Sequence, residues 1–199
     1  MILGLDFDNT LIRYDELFHQ LAFERGLITQ ELPKVKNTVR DYLRYVGKED
    51  EWTQIQGEVY GKRIREAIPF EGMQETLKKI SALDVKMFLV SHKTKTPYMG
   101  SQYNLHYAAI GWLREHSFFD ATGLGWHESQ VFFELTKEEK VQRIIQLGCT
   151  HYIDDLPEIL IMLPDTINKI LFTPHPVDTI PEEWYPLEEW SFLPKLLFS

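Results

Sequence analysis

The chain has 199 residues, 44% of them hydrophobic and 26% charged, which suits a single soluble domain with a packed core and room for a small insertion. A net charge of -9 excludes a general nucleic-acid or membrane-surface binder, which needs a basic face, but not an anionic substrate held by a few local cations or a metal. The lone cysteine, Cys149, excludes an internal disulfide framework and suits a reducing compartment.

Ile2, Leu3 and Leu5 form a short continuous apolar run, the pattern of a strand buried on both faces of a parallel sheet. Asp6 and Asp8 interrupt this stretch before a targeting segment can form, and no run approaches the ~20 apolar residues of a membrane helix, so the expected location is the cytoplasm. From Tyr14 to Pro69 the pattern is helical. "YDELFHQLAFERG" is closed by Gly26, and "LPKVKNTVRDYLRYVG" has Pro33 near its start and Val35, Val39, Tyr42, Leu43 and Val46 on one face. "EDEWTQIQGEVYG" carries a stripe of Trp52, Ile55 and Val59. After this insertion a helix with Met73, Leu77 and Ile80 precedes the strand "VKMFLVSH", taken to end at Ser91. The stretch 94–134 holds a helix near "LHYAAIGWLREH" and an irregular loop around "DATGLGWHES". The strand "QVFFE", a helix with Val141, Ile144 and Ile145 inward, the strand "HYIDD" ending at Asp154, the helix "LPEILIML" and the strand "KILF" follow. The tail from Thr173, rich in proline and aromatics, is expected to pack on the outside of the domain.

This alternation predicts an α/β fold: a doubly wound, three-layer parallel sheet from 1–13 and 70–199, with an all-helical insertion, 14–69, after the first strand. In such a sheet ligands bind beyond the carboxyl ends of the strands. Those ends carry Asp6, Ser91, Asp154 and Asp155, and right-handed crossovers bring Lys137 and Lys140, at the start of a helix, to the same edge. Each has an ordinary structural reading beside this one. Asp8, Asn9 and Thr10 can turn the chain, Ser91 can cap a helix, Thr136 and Glu139 form a capping box, and Leu156-Pro157 is a normal helix start. Their convergence in chain order is what favours a site.

"DFDNTL", Asp6 to Leu11, resembles the first motif of the haloacid dehalogenase (HAD) superfamily, Asp-x-Asp-x-Thr. Ser91 after "KMFLV" is similar to its second motif, Lys137 or Lys140 to the third, and "YIDDLPE" to the acidic fourth, with Ile153 where many members have glycine. "PFEGMQETL", from Pro69, is similar to the segment that re-enters the core after a helical cap. The resemblance spans most of residues 1–172. It implies a HAD-type core and a cap that closes over small phosphorylated metabolites. It also implies phosphate-ester hydrolysis rather than dehalogenation, because the phosphatases have the second acid, Asp8, and haloalkanoate dehalogenases lack it.

The residues themselves support such chemistry. A carboxylate with a pKa of ~4 is ionised at neutral pH and can attack phosphorus without a base. Its repulsion from a phosphate dianion calls for positive charge, supplied by Mg²⁺ held by Asp6, Asp154 and the backbone carbonyl of Asp8, with Asp155 and Glu158 as a direct or water-mediated supplement. The lysine neutralises nucleophile and phosphate together; Lys140 is preferred and Lys137 is the alternative. Ser91 and the His92 amide are expected to bind phosphoryl oxygens, Asp8 to act as acid and then base, and Asn9 and Thr10 to fix the turn around the substrate. Phosphoryl transfer to a second acceptor is the alternative reading on the same motifs, and a non-catalytic phosphometabolite-binding module is a further one. Cys149 reads as packed, and Trp52, Tyr42 and Tyr45 as residues that hold the insertion together.

Overall fold

Ile2–Leu5 forms strand β1, with Leu3, Gly4 and Leu5 buried, as a continuous apolar run requires. The structure, a computed structural model, describes every residue except Pro176, Asp178 and Ser199. The chain continues through β2 (Ile12–Arg13), α1 (Asp15–Glu24), α2 (Lys36–Tyr45), α3 (Glu49–Tyr60), β3 (Ile68–Pro69), α4 (Met73–Ser81), β4 (Lys86–His92) and α5 (Leu105–Glu115). It then forms β5 (Val131–Glu134), α6 (Lys137–Gln146), β6 (His151–Asp154), α7 (Pro157–Met162), β7 (Asn168–Phe172), β8 (Tyr185–Leu187) and α8 (Leu193–Phe198). Six strands make one sheet in the order β5-β4-β1-β6-β7-β8, and every neighbouring pair is parallel. The central strand β1 thus has β4 on one side and β6 on the other, which sets the ends of all three beside one another.

The chain packs as two compact units. The first comprises Met1–Ile12, Pro69–Lys93 and the chain from Ser117 onward, and holds the sheet. The second comprises Arg13–Ile68 and Thr94–His116. Of the insertion expected at 14–69, residues 14–68 fall in the second unit and Pro69 in the first; the second unit also takes Arg13 and α5, a helix that the sequence pattern assigns to the sheet domain.

Within the helical unit, the rings of Phe18 and Trp52 lie with centroids 4.8 Å apart and planes tilted by 32°, and Tyr14 and Tyr60 meet edge to face. The indole of Trp112 in α5 donates to the Ala67 carbonyl at 2.8 Å. Helix α2 begins at Lys36, later than the sequence suggests: Pro33 lies outside it, and Asp15 Oδ1 accepts from the Lys36 amide at 2.7 Å. Its buried face is narrower than expected, Val39 and Leu43 alone, because Tyr42, Tyr45 and Val46 are exposed. Of the three aromatics expected to hold this unit together, only Trp52 is in its core.

The sheet unit departs from the sequence reading in three places. Strand β4 runs one residue past Ser91. Ile145, expected inside, is 43% exposed, and Lys140 takes the buried place beside Val141 and Ile144. The tail does not simply cover the outside. Residues 185–187 add a sixth strand to β7, with Leu187 buried and its carbonyl accepting from the Thr173 amide at 2.9 Å.

One close approach shapes the centre of the sheet. Gly4 and Tyr152 are register partners on β1 and β6. A Cβ on Gly4 would lie 2.5 Å from Tyr152 Cδ2, so only glycine admits the ring there. The ring crosses β1, and its hydroxyl donates to the Val90 carbonyl of β4 at 2.5 Å. Burial holds the Tyr152 phenol well above its ordinary pKa, which keeps it a neutral donor. Gly4→Ala is expected to destabilise the protein by about 1–3 kcal/mol through overpacking, measured by urea unfolding. An unchanged midpoint would show that the Tyr152 ring can move aside without loss.

Candidate active site

Asp6 follows β1 directly, and its amide donates to the Ile153 carbonyl at 2.9 Å, which carries the β1–β6 pairing one residue further. Its side chain is 4% exposed. Oδ1 accepts from Ser91 Oγ at 2.9 Å and from Lys140 Nζ at 2.6 Å, while Oδ2 has the longer contact from Thr10 Oγ1 at 3.4 Å. Lys140 reaches this point from the first turn of α6, whose start is fixed by the Thr136/Glu139 capping box. The lysine is 1% exposed, and its ammonium lies 5.6 Å above the centre of the Tyr152 ring, so the ring that Gly4 admits forms one wall around it. The same ammonium donates to Asp154 Oδ2 at 2.6 Å, while Asp154 Oδ1 accepts from the Leu156 amide at 2.9 Å.

A second ion pair stands beside the first. After Phe7 the chain turns sharply. The amides of Thr10, Leu11 and Ile12 converge on the Phe7 carbonyl at 3.4, 3.0 and 3.2 Å, and Asn9 takes a left-handed conformation (φ 59°) that asparagine tolerates better than most residues. Asp8 lies in this turn, and its Oδ2 accepts from Lys93 Nζ at 2.6 Å. Lys93 is 4% exposed and was not singled out in the sequence. The available signal was its position two residues beyond Ser91 on the same strand end; its setting in the polar run "HKTKT" disguised it.

Asp6, Asp154 and Asp155 each offer a carboxylate oxygen, and these oxygens lie within 4.8 Å of one another. An all-oxygen set of this kind suits a hard divalent cation. The charge balance points the same way. Asp6 and Asp154 share the one ammonium of Lys140, which leaves this group with an excess of one negative charge when all three are ionised. Burial is the largest influence on Asp154 and, with the nearby Asp6 charge, raises its pKa to about 7 against the opposing pull of Lys140. Burial also works against the charge on Lys140, but Asp154 and Asp6 outweigh it and hold the ammonium above its ordinary range. Both directions describe one arrangement: a single cation shared by two carboxylates satisfies neither fully.

The other candidates fall elsewhere. Lys137 pairs with Glu158 at 2.9 Å on a partly exposed surface, which takes up both of those side chains. The His92 ring is 3.1 Å from the Leu135 carbonyl through Nε2. Cys149 is buried, and its thiol is pushed up to about 11 by that burial, as befits a packed residue.

The sequence matches no protein-family model and no curated protein. The fold is shared with solved structures along nearly the whole chain. A Clostridium difficile protein assigned as a phosphatase is 16% identical with a TM-score of 0.61, over 99% of this chain and 98% of that one. A HAD-superfamily hydrolase of subfamily IA, variant 1, from Geobacter sulfurreducens is 13% identical with a TM-score of 0.60, over 98% and 95%. The Bacillus subtilis protein YfnB, assigned as a HAD-hydrolase and crystallised with magnesium, is 14% identical with a TM-score of 0.56, over 100% and 98%. The chain shares the fold of these HAD-superfamily structures, an α/β core with helices inserted after the first strand. Among the described residues no helix is long and apolar enough to cross a membrane.

Two outcomes follow from the shared ammonium. Lys140→Met strands two buried carboxylates and is expected to cost about 3–5 kcal/mol in urea unfolding; a loss below about 1 kcal/mol would mean that the pairing is dispensable. The second concerns pH. With its pKa raised to about 7, Asp154 holds a proton in the metal-free fold that the unfolded chain releases near pH ~4. Stability from this group is therefore present below that window and is lost as pH rises through it. A divalent ion must displace the proton, so magnesium is expected to raise the melting temperature more at about pH 8 than at about pH 5.5. Equal increments at both would contradict this.

Proposed function

We propose that this protein is a Mg²⁺-dependent phosphatase that hydrolyses a small phosphomonoester through an aspartyl-phosphate on Asp6. The observation that carries this reading is the setting of Asp6, a buried carboxylate with Ser91 and Lys140 both on Oδ1. That arrangement leaves Oδ2, with only the 3.4 Å contact from Thr10, as the less encumbered oxygen and the one that attacks phosphorus. As its bond to phosphorus forms, the ester P–O bond breaks, and the departing oxygen keeps the electron pair and takes a proton from Asp8. Water then attacks the phosphorus of the aspartyl-phosphate and gives its proton to Asp8, and the bond to Asp6 breaks to restore the carboxylate and release inorganic phosphate.

Lys140 holds Asp6 in its orientation, and the Ser91 hydroxyl, which has one proton to give, would turn from Asp6 to donate to the phosphoryl group when the ester binds. Asp6, Asp154, Asp155 and the Asp8 carbonyl would hold the metal, and the His92 amide and the turn at Asn9 and Thr10 would contribute to the phosphate cradle. When bound, the metal supplies positive charge that offsets the meeting of an anionic nucleophile with an anionic ester. The assignment of the Clostridium difficile structure as a phosphatase and the magnesium bound to YfnB support this reading by analogy of fold.

The test is a panel of small phosphomonoesters assayed with and without magnesium. Turnover of at least one member is expected, lost on chelation and reduced more than about 10⁴-fold in Asp6→Asn. Turnover that persists in Asp6→Asn would remove Asp6 as the nucleophile.

A further inference from the structure

The reaction as described above uses Asp8 but assigns nothing to Lys93, whose ammonium donates to it. A lysine ammonium this deeply buried is costly to desolvate, and an apolar side chain at the position would serve the fold at least as well. Its placement is well defined. The Lys93 amide donates to the Glu134 carbonyl at 2.9 Å, which continues the β4–β5 ladder, so the side chain springs from a fixed backbone. Its ammonium lies 5.5 Å above the ring of Phe7, the residue between the two aspartates. Asp8, by contrast, has a backbone locked by the turn but a carboxylate that can still rotate about two side-chain bonds. The 2.6 Å contact from Lys93 restrains that rotation.

We propose that Lys93 is a positioning residue that orients Asp8 for both of its proton transfers; this rests on the reading of Asp8 as acid and base. An ammonium only donates hydrogen bonds. With Lys93 on Oδ2, a proton carried by the Asp8 carboxyl sits on Oδ1. Oδ1 therefore gives the proton to the departing ester oxygen as the P–O bond breaks, and takes one from water as the new P–O bond forms. Lys93 transfers nothing and selects which oxygen does. A group that acts through Asp8 matters most where leaving-group protonation matters most.

The test compares an alkyl phosphate, whose alkoxide leaves poorly, with p-nitrophenyl phosphate, whose phenolate leaves without help. In single-turnover measurements, Lys93→Met is expected to lower the rate of ester cleavage by about 10²-fold or more on the alkyl ester and less than about 10-fold on the nitrophenyl ester, with KM changed less than about 3-fold. Asp8→Asn should show the same split, and Asp8→Asn/Lys93→Met should match Asp8→Asn within about 2-fold. Should Lys93→Met not fold, Lys93→Leu, which likewise has no donor, is expected to give the same split. Equal losses on both esters, a raised KM with kcat intact, or a further loss in the double variant would overturn the proposal for Lys93 while leaving Asp8 its role. An Asp8→Asn protein without the leaving-group split would instead overturn the acid–base reading and this inference with it, as would a wild-type protein that turns over neither ester.

Discussion

A single buried ammonium, that of Lys140, lies 2.6 Å from the carboxylates of both Asp6 and Asp154. These residues come from β1, the start of α6 and the end of β6, so their meeting ties together three elements far apart in the chain. Several local choices converge on it. Parallel pairing places the ends of β1 and β6 side by side, the Thr136 cap fixes where α6 begins, and Gly4 admits the Tyr152 ring that walls the lysine. A buried ion pair is weak support for stability, since well-packed apolar residues often do as well or better. Its value here lies in orientation and charge. One cation between two acids holds them in place yet leaves negative charge over, beside a third carboxylate, that of Asp155.

That residual charge connects the fold to its chemistry. In the absence of metal, the least costly response of a buried, partly compensated carboxylate is to bind a proton, which is why Asp154 is raised. A divalent cation answers the same need without neutralising the acid. Beside this cluster stands a second pair, Asp8 with Lys93, on a turn and a strand end that adjoin it in sequence. In the proposed reaction the two pairs would divide the work: one would prepare a nucleophile and a cation site, the other would hold a proton carrier at a defined angle.

Much of the fold is legible in the sequence because buried parallel strands read as uninterrupted apolar runs and amphipathic helices as periodic ones. The acids at the strand ends stand out because Asp6, Asp154 and Asp155 each break such a run. What the pattern misses has physical causes. Periodicity around Val141 gives a stripe but not its edge, and the demand of two carboxylates for a cation turns Lys140 inward and leaves Ile145 exposed. Lys93 hides in a polar run because only the register with β5 keeps the chain extended there. The grouping of α5 with the insertion, and the sixth strand at Tyr185–Leu187, depend on contacts between segments distant in the chain, to which local periodicity is blind.

The charge left uncompensated around Lys140 is expected to make a site for one divalent cation. Anomalous diffraction from crystals soaked in manganese, a hard ion with the same ligand preferences as magnesium, tests it directly. The account predicts one strong peak coordinated by carboxylate oxygens of Asp6, Asp154 and Asp155. Saturating manganese with no peak at these three residues, or with peaks only at surface carboxylates, would contradict it.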